Sequence, residues 1–118
     1  MLINMKIFVK ESNDGNIEYK LNLSNMSKIK FQKYSTQLKY RILEGTGTAI
    51  YIIGISDNGS IFGINNCDIN NTINLFNYIC KNVNCSIDLI LKCKYINKFF
   101  LIIKVSCLFN INNLPYLI

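Results

Sequence analysis

The sequence contains no histidine, a single proline and only seven acidic residues. Without an imidazole there is no Ser-His or Cys-His couple, so a nucleophilic thiol would need a Lys or Arg neighbour to lower its pKa. The seven carboxylates form no close pair on one predicted face, which leaves acid-base catalysis without its players. Cys67, Cys80, Cys85, Cys93 and Cys107 are an odd set with no C-x-x-C spacing, and with no histidine beside them they do not read as metal ligands. They read as buried free thiols of a reducing compartment. No apolar run reaches the roughly 20 residues of a membrane-spanning helix, and residues 1–10 are too short and too charged at their ends for a signal peptide. The expectation is a cytoplasmic protein with no catalytic residue, no metal, no cofactor and no membrane partner.

What the sequence does have is positive charge. A net charge of +6 favours polyanionic partners, and the charge is segregated. Lys28, Lys30, Lys33, Lys39 and Arg41 occupy a window with no acid, and Lys81, Lys92, Lys94, Lys98 and Lys104 share theirs only with Asp88. The other acids lie at Glu11, Asp14, Glu18, Glu44, Asp57 and Asp68. Tyr40 stands beside Lys39 and Arg41, and Tyr95 among Lys92, Lys94 and Lys98. An exposed aromatic among cations stacks on an unpaired base while the cations hold phosphates. Lys28, Lys30, Lys33, Lys39, Tyr40, Arg41, Lys92, Lys94, Tyr95 and Lys98 are therefore the candidate RNA-binding set. The alternative for them is a solvated surface with aromatics covering a core edge.

Half of the 118 residues are hydrophobic, enough for one packed domain, expected over 1–109 with a tail at 110–118. Residues 17–23 alternate, with Ile17, Tyr19, Leu21 and Leu23 facing one way and Glu18, Lys20 and Asn22 the other, which predicts a half-buried strand. Cap-type residues follow at 24–27, and Phe31, Tyr34, Leu38 and Ile42 recur at helical spacing. Gly45 and Gly47 end that helix, a role that corner geometry alone explains. Residues 49–55 and 60–64 read as two arms of a hairpin around the turn Asp57-Asn58-Gly59. A second helix with core positions Ile69, Ile73, Phe76, Ile79 or Cys80, and Val83 precedes strands at 86–93 and 99–107. The order β-α-β-β-α-β plus one C-terminal strand predicts an α+β fold, a ferredoxin-like split βαβ arrangement. Its helices would lie on one face of a mainly antiparallel sheet.

The runs Gly15-Asn16-Ile17-Glu18-Tyr19-Lys20-Leu21 and Gln37-Leu38-Lys39-Tyr40-Arg41, with EGTGTAIYIIGISDNGSIFGI at 44–64, carry a resemblance. They resemble the N-terminal module of the eukaryotic GTP-binding-protein family of elongation-factor-like GTPases. Its marks here are Glu44, Gly45, Gly47, Tyr51, Gly54, Asp57, Asn58, Gly59 and Gly63. In that family a G domain follows, opened by a Gly-Asn-Val-Asp-Ser-Gly-Lys-Ser/Thr phosphate loop. In this chain Asn110-Ile111-Asn112 echo the loop's start, but Leu114, Pro115 and Tyr116 replace its glycine, lysine and hydroxyl. The resemblance, with this departure, implies binding without GTP hydrolysis and without a nucleotide cofactor.

In that reduced form the chain is similar to the dormancy factors of microsporidian ribosomes. The similarity implies a non-catalytic factor that contacts ribosomal RNA and ribosomal proteins, blocks a functional site and promotes ribosome dormancy. Two other readings stay open, a module docking on a translation factor in place of the lost G domain and a general RNA-binding domain. Ile111, Leu114, Tyr116, Leu117 and Ile118 are apolar but interrupted by asparagines and Pro115, so this tail is expected to contact a partner instead of joining the sheet.

Overall fold

The computed structural model describes residues 8–108. Strand β1 (Ile17–Lys20) leads through helix α1 (Lys28–Glu44) to β2 (Thr48–Ile53), and helix α2 (Ile69–Asn82) leads to the hairpin β3 (Cys85–Tyr95) and β4 (Lys98–Cys107). The α1 start follows from a cap: the Ser27 hydroxyl accepts the Lys30 N–H at 3.1 Å, satisfying one of the donors every helix start leaves open. Its end follows from Gly45, whose N–H closes on the Arg41 carbonyl at 3.0 Å.

The sheet order is β1-β2-β4-β3, with β1 and β2 parallel and β4 antiparallel to both of its neighbours. The last strand thus sits between β2 and β3, which makes β2-α2-β3 the split βαβ unit of the expected ferredoxin-like class. β1 and β2 are direct neighbours. Both helices cover one face and run side by side in the same direction. The Phe31 and Tyr78 ring centroids lie 5.0 Å apart, and one turn further on Asn82 donates to the Ser35 hydroxyl at 3.1 Å. Leu38 and Ile42 of α1 and Phe76, Ile79 and Cys80 of α2 pack on Ala49, Tyr51 and Ile53 of β2 and Leu101, Ile103 and Val105 of β4. Each of the larger side chains contributes roughly 1.5–3 kcal/mol by leaving water. Tyr51 stacks on Phe76 with centroids 4.7 Å apart, its hydroxyl buried without a hydrogen-bond partner, and burial drives its pKa well above the ordinary value.

Three expectations change. The strand at residues 17–20 carries its polar side inward: Glu18 is buried, whereas Ile17 and Leu21 are exposed. Tyr19 points the other way, into a second cluster with Ile52, Ile55 and Ile61 on the far side of the sheet. The arm expected at 60–64 is not a strand but two isolated bridges, Ile55 with Ile61 and Ile64 with Phe99. The Phe62 and Gly63 N–H groups both converge on the Gly54 carbonyl, at 3.0 and 2.8 Å, which bends the arm away before a ladder can form. All five cysteines are free, but only Cys80 and Cys85 are buried, their thiols pushed up to about 12 by burial, and Cys67 is exposed. The tail residues Ile111, Leu114, Tyr116, Leu117 and Ile118 lie outside the described residues.

Candidate nucleic-acid interface

β1, β2 and β3 point their carboxyl ends the same way, and both helices begin at that end. Members of both basic blocks, far apart in sequence, therefore lie at that end, while Lys39, Lys81 and Lys104 do not. Lys28 and Lys30 lie in the first turn of α1, while Lys94 and Lys98 flank the tip of the β3-β4 hairpin. Lys92 donates to the Asn66 side chain at 2.8 Å and lies over the Phe99 ring at 4.3 Å. The N-terminal dipole ends of two helices add to this positive field. The hairpin tip is strained: Ile96 has φ 56°, a conformation β-branched residues rarely adopt. Beside it opens a cleft of about 320 Å³, bordered by Leu21, Phe62, Asn65, Asp68, Asn71 and Lys98.

The lysines of this end form no ion pair among the described residues. Among the described residues every ion pair involves Lys20 or Arg41, and none involves Lys28, Lys30, Lys33, Lys92, Lys94 or Lys98. Lys30 reaches only the Ser24 carbonyl, at 3.4 Å.

Arg41 leaves the candidate set. It is 3% exposed, with Nε on Glu18 at 2.9 Å, one terminal nitrogen on the Asp14 and Gly15 carbonyls at 3.0 and 2.8 Å, and the other on the Ser12 carbonyl at 2.8 Å. The guanidinium is satisfied inside the fold. Tyr40, near the opposite end of α1, donates its hydroxyl to the Asn13 carbonyl at 2.9 Å, which ties it to the same loop, and Lys39 beside it is half-buried. Tyr95 is half-buried against the second apolar cluster. Neither tyrosine forms a stacking platform beside the lysine cluster. The residues missed by pattern reading are Ile29 and Tyr78, 81% and 65% exposed on the helices.

Glu11 belongs to the Arg41 knot. It accepts the Tyr19 N–H and lies 3.9 Å from Arg41, yet burial wins and pushes its carboxyl up to about 6. A pKa raised above the ordinary 4.5 means that protonation favours the folded state. This contribution is full below pH 4.5 and lost as pH rises through about 6. Glu11→Gln should therefore raise stability at pH 7 by about 1 kcal/mol, a figure reduced for partial exposure. Urea midpoints at pH 5 and 7 check this: wild type should gain on the variant at pH 5, and a constant gap would refute it.

No protein-family model matches the chain. Mouse and human GTP-binding protein 2 are each 52% identical to it over 54 residues, which is 46% of this chain and 9% of those proteins. The chain is a partial relative of GTP-binding protein 2. An uncharacterised protein of Acanthamoeba polyphaga mimivirus is 38% identical over 81 residues, 68% of this chain and 44% of the viral protein. The match thus spans under a tenth of GTP-binding protein 2 and less than half of the viral protein.

The motif residues expected from the resemblance to GTP-binding proteins are structural where they are described. Glu44 accepts the Gly15 N–H at 3.0 Å, tying the entry of β1 to the end of α1. Gly45 is pressed against that entry: a Cβ there would overlap the Thr48 carbonyl and lie 2.7 Å from the Asn16 side chain. Gly47 joins the sheet end, its carbonyl accepting the Cys107 N–H at 3.0 Å. Gly54 donates to the Lys20 carbonyl at 2.7 Å, and Gly63 lines the cleft. Asp57-Asn58-Gly59 forms the turn, with the Asn58 side chain accepting the Ser60 N–H at 3.0 Å. Gly59, at φ 90°, lies under the Phe8 carbonyl, where any side chain would collide. No phosphate cradle is built from these residues. The segment where the family's phosphate loop would fall lies outside the described residues.

Proposed function

We propose that this GTPase relative is a non-catalytic factor that binds the ribosome, contacts ribosomal RNA and adjoining ribosomal protein, and by occupying a functional site keeps the ribosome dormant. The observation that carries the RNA contact is the convergence of Lys28, Lys30, Lys92, Lys94 and Lys98 at one end of the fold with no acidic partner among the described residues. Phosphates need cations that are not already paired, and those of this end meet the need without disturbing the core. Occupancy alone suffices for such a role; no bond is made or broken.

The test is cosedimentation with purified ribosomes across a salt series. About three phosphate contacts predict a roughly 20- to 40-fold loss of affinity between 50 and 200 mM salt. Changing Lys30, Lys94 and Lys98 together to Glu should leave the thermal midpoint close to wild type and abolish pelleting. Arg41 is excluded from this variant because its side chain is satisfied inside the fold and its loss is expected to destabilise the protein. Wild-type pelleting by a folded triple variant would place the contact elsewhere and end this reading. Dormancy is tested separately, by whether added protein lowers translation in an extract of the same cells.

A further inference from the structure

We propose that the groove between α1 and α2 docks an acidic amphipathic helix of a partner protein. This goes beyond the RNA reading and does not rest on it. The groove encloses about 550 Å³ and is floored by Met26, Phe31, Leu75 and Tyr78. Its floor is open: the Tyr78 side chain is largely in water although its ring packs on Phe31. Solvent-facing apolar surface between two rigid helices is the shape that accepts the apolar stripe of a third helix.

Charge selects the partner. Neither α2 nor α1 before Glu44 contains an acidic residue. Lys28 lines the groove at one end, and Lys39, eleven residues on and outside the groove lining, returns to the same flank of α1 about 16 Å further along the axis, past the point where Asn82 ends α2 beside Ser35. The spacing equals three turns of a docked helix. Carboxylates at both ends of its apolar stripe meet one lysine each, and the side-chain amides of Gln32 and Asn82 face its polar rim. A polyphosphate backbone fits less well, because Met26, Phe31, Leu75 and the Tyr78 ring make the floor mainly apolar and Lys28 is, among the described residues, the one cation in its lining. A cationic helix is repelled at both ends.

The probe is a synthetic peptide of about 16 residues, with Leu at helical a and d positions and Glu elsewhere, titrated into the full chain by fluorescence anisotropy. Its Lys-for-Glu counterpart, anionic vesicles and single-stranded RNA are the controls. The Glu peptide should bind, and the Lys peptide should bind at least tenfold more weakly. Tyr78→Glu should weaken the Glu peptide at least tenfold while leaving ribosome cosedimentation unchanged. Lys28→Glu with Lys39→Glu, two side chains not needed by the core, should reverse the preference toward the Lys peptide, and this arm holds even if Tyr78→Glu does not fold. Failure of the Glu peptide to bind overturns the inference, and so does an unchanged affinity in both variants. A Tyr78→Glu loss confined to RNA or vesicles assigns the groove to that ligand and overturns it as well. Because Lys28 belongs to both the groove and the lysine cluster, the cluster is read separately, by the salt series and the Lys30, Lys94 and Lys98 variant, neither of which alters the groove lining.

Discussion

Replacing Arg41 by Met should cost about 3–5 kcal/mol, a large share of the stability of a domain this size. The guanidinium neutralises buried Glu18 and satisfies three carbonyls of the segment before β1, so its removal strands a carboxylate 7% exposed and leaves the loop at residues 12–15 without its donors. Lys20, 3.3 Å from the other Glu18 oxygen, softens the loss but does not reach the carbonyls. Urea denaturation gives the number, and a companion Arg41→Met/Glu18→Gln should recover part of it, because the double change removes the buried Glu18 carboxylate together with its guanidinium partner. A single-variant loss under about 1 kcal/mol would mean that Arg41 is not the keystone of the knot.

Gly45→Ala is expected to be nearly as severe, about 3 kcal/mol, at the upper end of overpacking. The added methyl meets backbone, the Thr48 carbonyl, and the Asn16 side chain, whose amide itself donates to that carbonyl at 3.2 Å. Neither neighbour is a flexible tip that swings clear. The thermal midpoint decides: a fall of less than about 2 °C would show that the corner relaxes and that close packing does not require glycine at residue 45.

Much of this architecture was legible because its periodicities are local. The stripe Phe31, Tyr34, Leu38, Ile42 found α1, the cap region found its start, and the apolar runs at 86–93 and 99–107 found the two strands of the hairpin. Arg41 was misplaced for a physical reason. It stands three residues after Leu38 and seven after Tyr34, on the buried face, but a charge there reads as solvent-exposed unless its mate is known. The mate, Glu18, comes from a strand 23 residues earlier that turns its polar side inward. Long-range ion pairs leave no local period. The lysine cluster was legible as two blocks, but that they share one end depends on the crossover of the sheet. Tyr78 escaped notice because a lone aromatic off the stripe of α2 carries no signal until α1 lies beside it.

The position of β4 has a consequence for how the chain comes together during synthesis. Among the described residues it is the last strand made, yet it is the only strand paired with β3 and the partner of β2 along six register pairs. Until Lys98–Cys107 has left the exit tunnel, β2 has only the four residues of β1 beside it, and Phe76 and Ile79 have half a floor to settle on. The nascent chain therefore waits, with an unpaired β2 edge and an open apolar face, for this ten-residue strand to insert between β2 and β3. Folding is gated by the arrival of one segment, and synthesis that stalls before it leaves a sheet in two unjoined pieces.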